Sequence, residues 1–299
     1  MKVVITSANS ATGLMLIPVL KAAGHHTVGL VRKPVDTGAD EVITNWMEAP
    51  AAREALGTAD VIVHLSGELN AKNERLYAAA NLDTTRIVAE YGRAEKVIYL
   101  SYPHASPGEK NFYLRFKGEA EELLRRTGIP LVIFRCPVII DAPDRASKID
   151  VLFRSRRGRP VPVIGNGWQM MRPVYRGSVV EAIAAAVGAP MRSAGGVSGQ
   201  PGDAGHPGVY ELSGPDEVTI DEFIRLANPP GVRILHIPGW LAILLSKVLP
   251  GLSSTFVDMM LHHTSSAYEP ATYRALGLQP VSIVNKWREA TGITPASVE

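Results

Sequence analysis

Residues 2–13, KVVITSANSATG, read as a strand, a tight turn and the opening of a helix. Lys2–Thr6 is β-branched and apolar almost throughout, the pattern of a strand buried on both faces of a parallel sheet. Thr6–Gly13 holds only small or polar side chains. A helix is expected over Gly13–Ala23, with Gly24 at its C-terminal cap. The same unit recurs downstream. His26–Val31, Glu41–Thr44, Asp60–Leu65, Lys96–Leu100 and Leu131–Phe134 read as strands. Helices are expected at Ala51–Leu56, Glu74–Tyr91 and Tyr113–Thr127, the last followed by Gly128. Strand, helix and strand in repetition mean right-handed crossovers, so the fold class is α/β with a doubly wound parallel sheet.

After about Pro137 this rhythm degrades. Helices are expected at Lys148–Arg157, Ser178–Val187, Ile220–Ala227 and Trp240–Leu249, and strands near Val161–Ile164 and Gly208–Leu212. Met191–Pro207 is glycine-rich without an apolar period and reads as a surface loop. The expected organisation is a nucleotide-binding core over residues 1–137, to which later segments return. Residues 138–299 are expected to form mainly a smaller, substrate-binding lobe.

The 299 residues are 46% apolar and 20% charged, an ordinary globular composition that excludes disorder, collagen and coiled coil. With 31 basic and 29 acidic side chains the net charge is only +2, so no global attraction to nucleic acid or anionic lipid is expected. Cys136 is the only cysteine, which excludes a disulfide within the chain and a cysteine-based zinc site. The first residues read as strand and turn rather than signal peptide. The longest apolar stretch, Ile234–Leu249, is broken by His236, Pro238, Ser246 and Lys247, so no stable membrane insertion is expected. The expected setting is a reducing cytoplasm.

The first β–α turn is where a dinucleotide-binding sheet carries its glycine fingerprint. A G-x-x-G-x-x-G pattern falls here on Ser7, Ser10 and Gly13, so two glycines are replaced by serine. A serine forced into a glycine conformation costs about 1–3 kcal/mol. Its hydroxyl can also donate to a phosphate, and the helix N-terminus still favours an anion. Ser7, Asn9, Ser10, Ala11, Thr12 and Gly13 are therefore the expected phosphate-side residues, against the simpler reading of a β–α turn with no ligand. Arg32 and Lys33 follow the second strand. An acid there would bond the ribose hydroxyls of NAD, whereas an arginine accommodates the 2′-phosphate of NADP(H). A solvated Arg-Lys pair is the plain alternative. Asn45 and Trp46 follow the third strand and are placed beside the adenine. Ser66 and Gly67 end the fourth, where a small residue lets a cofactor lie against the backbone.

Tyr113 and Lys117 form a Tyr-x-x-x-Lys pair on one helical face. A nearby ammonium would lower the phenol pKa and prepare a general acid/base for carbonyl–alcohol interconversion. Ser101, at the end of the preceding strand, is placed to bond the substrate oxygen. An exposed helix face, with Lys117 near Glu121, would show the same spacing. The basic run Arg154–Arg159 reads as a solvated helix end or a contact to a substrate phosphate. His25-His26 and His262-His263 have no carboxylate cluster at ligand spacing, so no metal site is expected. The apolar helix around Trp240–Leu249 reads as buried packing or a lid over an apolar substrate rather than a membrane contact.

With these residues in view, the chain resembles the extended and atypical short-chain dehydrogenase/reductase superfamily, a Rossmann NAD(P)-binding group. Within it, the chain is most like the branch of NmrA-like proteins and the nucleotide-binding accessory subunit of respiratory complex I. The resemblance covers nearly the whole chain. It rests on ITSANSATG (5–13), LVRKP (30–34), ADVIVHLSG (59–67) and the helix holding Asn81. It continues through 113–135, 163–187 and 208–223, and through LPGLSSTFVDMMLHHTSSAYEPATYRALGLQPVSI (249–283). It implies a tetrad of Asn81, Ser101, Tyr113 and Lys117, with Lys117 also on the nicotinamide ribose and Pro137 beside the nicotinamide. Three departures stand out. The glycine turn is degenerate, only twelve positions separate Ser101 from Tyr113, and Ser178 replaces an aspartate usual in RPVYRGSVVEAI (172–183).

The expected function is an NADP(H)-dependent oxidoreductase acting on a small carbonyl or alcohol, with Tyr113 as general acid/base. A non-catalytic NADP(H)-binding scaffold or redox sensor, or a nucleotide-sugar epimerase or dehydratase, would use the same residues. The partner expected is a small-molecule substrate, and a homodimer is compatible with the sequence.

Overall fold

The computed structural model describes residues 1–143, 150–189, 207–249 and 251–291. Its elements begin with β1 (Lys2–Thr6), α1 (Ala11–Ala22), β2 (His26–Leu30), β3 (Glu41–Ile43), α2 (Pro50–Gly57) and β4 (Val61–His64). There follow α3 (Glu74–Ala78), a π-helical turn (Ala79–Asp83), α4 (Thr84–Tyr91), β5 (Lys96–Ser101), α5 (Phe112–Arg126) and β6 (Leu131–Arg135). Next come β7 (Ile139–Ile140), α6 (Asp150–Phe153), β8 (Val161–Ile164), β9 (Met170–Met171), β10 (Val174–Tyr175) and α7 (Arg176–Gly188). The chain ends with β11 (Gly208–Glu211), β12 (Val218–Thr219), α8 (Ile220–Leu226), β13 (Ile234–Ile237), α9 (Gly239–Ser246), α10 (Ser254–His262), α11 (Pro270–Ala275) and α12 (Ile283–Thr291).

Two compact units emerge. The first comprises Met1–Cys136, Gly177–Leu212 and Glu269–Gln279. Its seven-stranded sheet has the order β11-β6-β5-β4-β1-β2-β3, with every pair parallel. The α/β doubly wound fold read from the strand pattern is thus present. Val3, Val4 and Ile5 are fully buried, as are Val61, Ile62 and Val63 beside them, which is why these strands show no polar alternation. α1 buries Leu16, Ile17 and Leu20, each worth about 2 kcal/mol. Gly24 and Gly128, at φ +79 and +73, end α1 and α5 in the left-handed conformation expected of them. Lys96 is buried in this unit, and its ammonium closes α7 by donating to the carbonyls of Ala186 and Ala189 at 2.8 and 2.6 Å.

The second unit comprises Pro137–Arg176, Ser213–Tyr268 and Pro280–Glu299. It holds three two-stranded pairs, β10–β7, β12–β9 and β13–β8. Phe223 meets Phe153 and Trp287 edge-on at centroid distances of 5.3 and 5.6 Å. The Trp287 indole donates to the Asp141 carbonyl at 2.9 Å. A capping box between Thr219 and Glu222 starts α8.

The helix expected over Glu74–Tyr91 is interrupted by the π-helical turn, which holds Asn81 buried. Of the helix expected over Lys148–Arg157, residues 148 and 149 lie outside the described residues. Asp150–Phe153 is helical, and Arg157 and Gly158 turn at positive φ. Met191–Pro207 lies outside the described residues except for Pro207. Among the described residues, no helix is long and apolar enough to cross a membrane.

Candidate functional site

The two serines of the first turn have different conformations. Ser7 sits at φ +50, the left-handed region where a glycine was expected. Its hydroxyl lies 3.0 Å from that of Ser66 on the neighbouring strand end. Ser10 is extended, at φ −69, and caps α1: its Oγ accepts from the Gly13 amide at 3.1 Å. The expectation that Ser10 replaces a strained glycine is therefore corrected. Serine is the preferred N-cap residue and is unstrained here. Gly13 is required by proximity, since a Cβ there would lie 2.4 Å from the Ala8 carbonyl oxygen.

At the carboxyl ends of β1, β2 and β4 lies a cavity of about 370 Å³. Strand order reverses between β1 and β4, the place where open α/β sheets bind ligands. Ser7, Arg32, Trp46, Ser66 and Gly67 line it, and so do Glu68, Lys72 and Thr84. Arg32 and Lys72 form no ion pair among the described residues. Lys33 and Asn45 are exposed and do not line it. Asn45 is left-handed, at φ +49, and spends its side-chain amide on Glu48 at 3.1 Å. Trp46 is buried and presents only part of its ring. Asn9 and Ala11 are exposed and Thr12 is buried; with Ser10 and Gly13 they lie outside the cavity wall. Pro137 opens the second unit.

Asn81 and Lys117 meet at Gly67. A Cβ at Gly67 would stand 2.9 Å from both Asn81 Oδ1 and Lys117 Nζ, so a side chain there would have to displace them. Asn81 lies on the π-helical turn, and its amide nitrogen donates to the Tyr77 carbonyl at 2.9 Å. Its Oδ1 accepts from the Glu68 amide at 3.3 Å. Lys117 Nζ donates to the carbonyls of Leu100 at 2.8 Å and Ser66 at 3.3 Å. It stands 4.6 Å from the Tyr99 ring centroid. Burial pulls its pKa down to about 7 against the opposing field of Glu121.

Two expectations about the tetrad change. Asn111 caps α5 by accepting from the amides of Tyr113 and Leu114, which sets Tyr113 in the first turn. There the phenol is buried edge-on to Tyr102, and burial pushes its pKa well up rather than down. The expected lowering of the phenol pKa by Lys117 is not seen, because burial, with the fields of Tyr102 and Glu68, pushes it the other way. Ser101, expected on the substrate oxygen, donates instead to Glu121 Oε1 at 2.6 Å. Glu121 is buried and bridged by Arg135 at 2.7 Å. The serine's only proton is committed to that carboxylate.

A buried relay was not read from the sequence. Thr6 Oγ1 accepts from the amides of Leu65 and Ser66 and lies 2.8 Å from His64 Nδ1. His64 Nε2 lies 2.9 Å from Thr85 Oγ1, which donates to the Asn81 carbonyl at 2.8 Å. With Thr6 donating to Nδ1, the imidazole is neutral with its proton on Nε2. Burial pulls its pKa down to about 3. The signal available was a pair of polar residues, Thr6 and His64, at the ends of otherwise apolar strands. Lys72 carried no periodic signal at all.

No family profile matches the chain. It is 28% identical over 178 residues to the mitochondrial NADH dehydrogenase (ubiquinone) 1 alpha subcomplex subunit 9 of Arabidopsis thaliana. That match covers 58% of this chain and 41% of the plant subunit, so it spans less than half of that protein. Among solved structures, the fold is similar to MoeE5 in complex with UDP-glucuronic acid and NAD, with a TM-score of 0.73 and 18% identity over 97% of this chain and 100% of that one. It is also similar to the human epimerase family protein SDR39U1 (isoform 2) with NADPH, with a TM-score of 0.71 and 18% identity over 98% and 100%. A third likeness is to UDP-glucuronic acid 4-epimerase from Bacillus cereus with UDP-glucuronic acid and NAD. Its TM-score is 0.69, at 17% identity over 96% and 97%. The parallel sheet, its strand order and these likenesses together show a Rossmann-type α/β fold.

Proposed function

We propose that the chain binds NADP(H) in the cavity at the strand-order reversal and is an oxidoreductase acting on a small carbonyl or alcohol. One observation carries this reading: Arg32 lines that cavity with no ion pair among the described residues. An unpaired guanidinium there suits a 2′-phosphate. The residues fit such a group in a second respect, because the small residues Ser66 and Gly67 form the cavity wall at the end of β4. Ser7, Arg32, Ser66 and Gly67 would hold it from the strand ends, with Lys72 and Trp46 at the sides and Lys117 toward the ribose. When bound, the nicotinamide would give or take a hydride. Tyr113, whose proton burial retains, serves as the acid toward a substrate oxygen. Lys117, poised near neutrality, can hold or release a proton beside it. The nucleotides bound to the similar structures, NAD and NADPH, support the cofactor class.

A second reading, NADP(H) binding without turnover, is favoured by the commitment of Ser101 to Glu121. Fluorescence titration with NADPH and NADH tests the shared part. NADPH is expected to bind more tightly, and Arg32→Ala to erase the preference; equal affinities would overturn it. A screen of ketones, aldehydes and nucleotide sugars with NADPH then separates the two readings.

A further inference from the structure

The second unit encloses a cavity of about 300 Å³ between the β8–β13 pair, α8 and the α9–α10 pair. Val163 and Ile164 of β8 and Ile237 of β13 form its floor, and Ile224 of α8 forms a wall. Ala242 and Leu245 of α9 cover it, and Leu152 and Leu249 border it while 43% and 48% exposed. None of its lining side chains among the described residues carries a charge, a hydroxyl or an amide. A cavity of this kind cannot hold ordered water, which needs two to four polar partners. It is also too large for a packing defect, since protein interiors leave few voids bigger than a water molecule.

We propose that this cavity is a binding site for the hydrocarbon tail of a medium-chain alkyl compound, with its head group left at the opening. The lining selects carbon, and the apolar mouth lets a tail enter without crossing a polar rim. An apolar cavity of about 150 Å³ takes benzene, so one of about 300 Å³ takes roughly ten to twelve carbons. Ala242 matters because its single methyl, almost fully buried, leaves the space open beneath α9. The whole site lies in the second unit and does not rest on the dinucleotide reading.

The test uses the full chain, carrying labelled isoleucine methyl groups, titrated with hexanoate, decanoate, hexadecanoate and 1-decanol. Decanoate is expected to bind saturably and to shift the methyl signals of Ile164, Ile220, Ile224 and Ile237 while leaving those of Ile5, Ile62 and Ile98 in place. It should bind at least about tenfold more tightly than hexanoate, with little further gain for hexadecanoate. Decanol should bind like decanoate, since the tail is what is recognised. Ala242→Phe should fill the space and weaken decanoate at least about tenfold, with an unchanged thermal midpoint. No saturable binding, shifts spread across both sets of isoleucines, or binding of decanoate but not decanol would each overturn the proposal. Should Ala242→Phe fail to fold, the methyl shifts of the unaltered chain decide.

Discussion

Ser101 Oγ donates its only proton to Glu121 Oε1 at 2.6 Å, inside an ion pair that Arg135 completes. A hydrogen bond to a buried carboxylate is a structural commitment. Ser101→Ala should therefore lower stability by about 1–3 kcal/mol in a urea titration and leave NADPH affinity unchanged. Intact stability with lost turnover would return the serine to the substrate oxygen.

The turn makes a contrast between two substitutions three positions apart. Ser7→Gly relieves a left-handed backbone and should raise stability by about 1 kcal/mol, less what the Ser66 contact contributes. Ser10→Ala removes a helix cap and should cost about 1 kcal/mol. If both changes moved stability the same way, the assignment of one strained and one capping serine would be wrong.

His64 couples the relay to pH. Its folded pKa, about 3, lies below the unfolded value, so between these limits the unfolded chain binds the extra proton. Its share of stability is whole above about pH 6.5 and is lost as pH falls toward 3, by about 1.4 kcal/mol per unit. Urea midpoints compared between wild type and His64→Gln across pH 4–7 should show this slope only in the wild type. Parallel pH profiles would mean that His64 is not held neutral.

Tyr113→Phe and Lys117→Met should fail differently. The first removes a hydroxyl that has no hydrogen-bond partner among the described residues, so folding and NADPH affinity should hold while turnover falls by about 10²–10⁴. The second removes an ammonium at the edge of Gly67 and should weaken NADPH as well. A Tyr113→Phe variant with full activity, on any substrate the screen yields, would leave nucleotide binding without tyrosine catalysis.

The sheet was legible because buried parallel strands have no polar alternation, and Val3–Ile5 and Val61–Val63 could hardly be anything else. Gly24 and Gly128 marked helix ends for an equally local reason. The site was legible only in part. Arg32 and Ser66 follow strands at fixed places, so the sequence could put them at one edge. The direction of a side chain is a tertiary matter. Nothing local tells Ser101 to face Glu121, twenty positions away, or Lys117 to face the Leu100 carbonyl. α10 was passed over although Ser253 caps it and Phe256, Val257 and Met260 follow at helical spacing. Its apolar face serves a small unit with no repeating strand to frame it.

The return of β11 to pair with β6 has a consequence for synthesis of the chain. A nascent polypeptide that has reached Cys136 owns six strands of the sheet, with the carbonyls and amides of Leu131–Arg135 open along one border. That border stays bare until Gly208–Glu211 leave the ribosome, because the chain first departs into the other unit over Pro137–Arg176. Exposed sheet edges recruit strands from other molecules. Translation therefore passes through an interval in which an intermediate is open to aggregation, and a fragment ending at Cys136 should precipitate where the full chain does not.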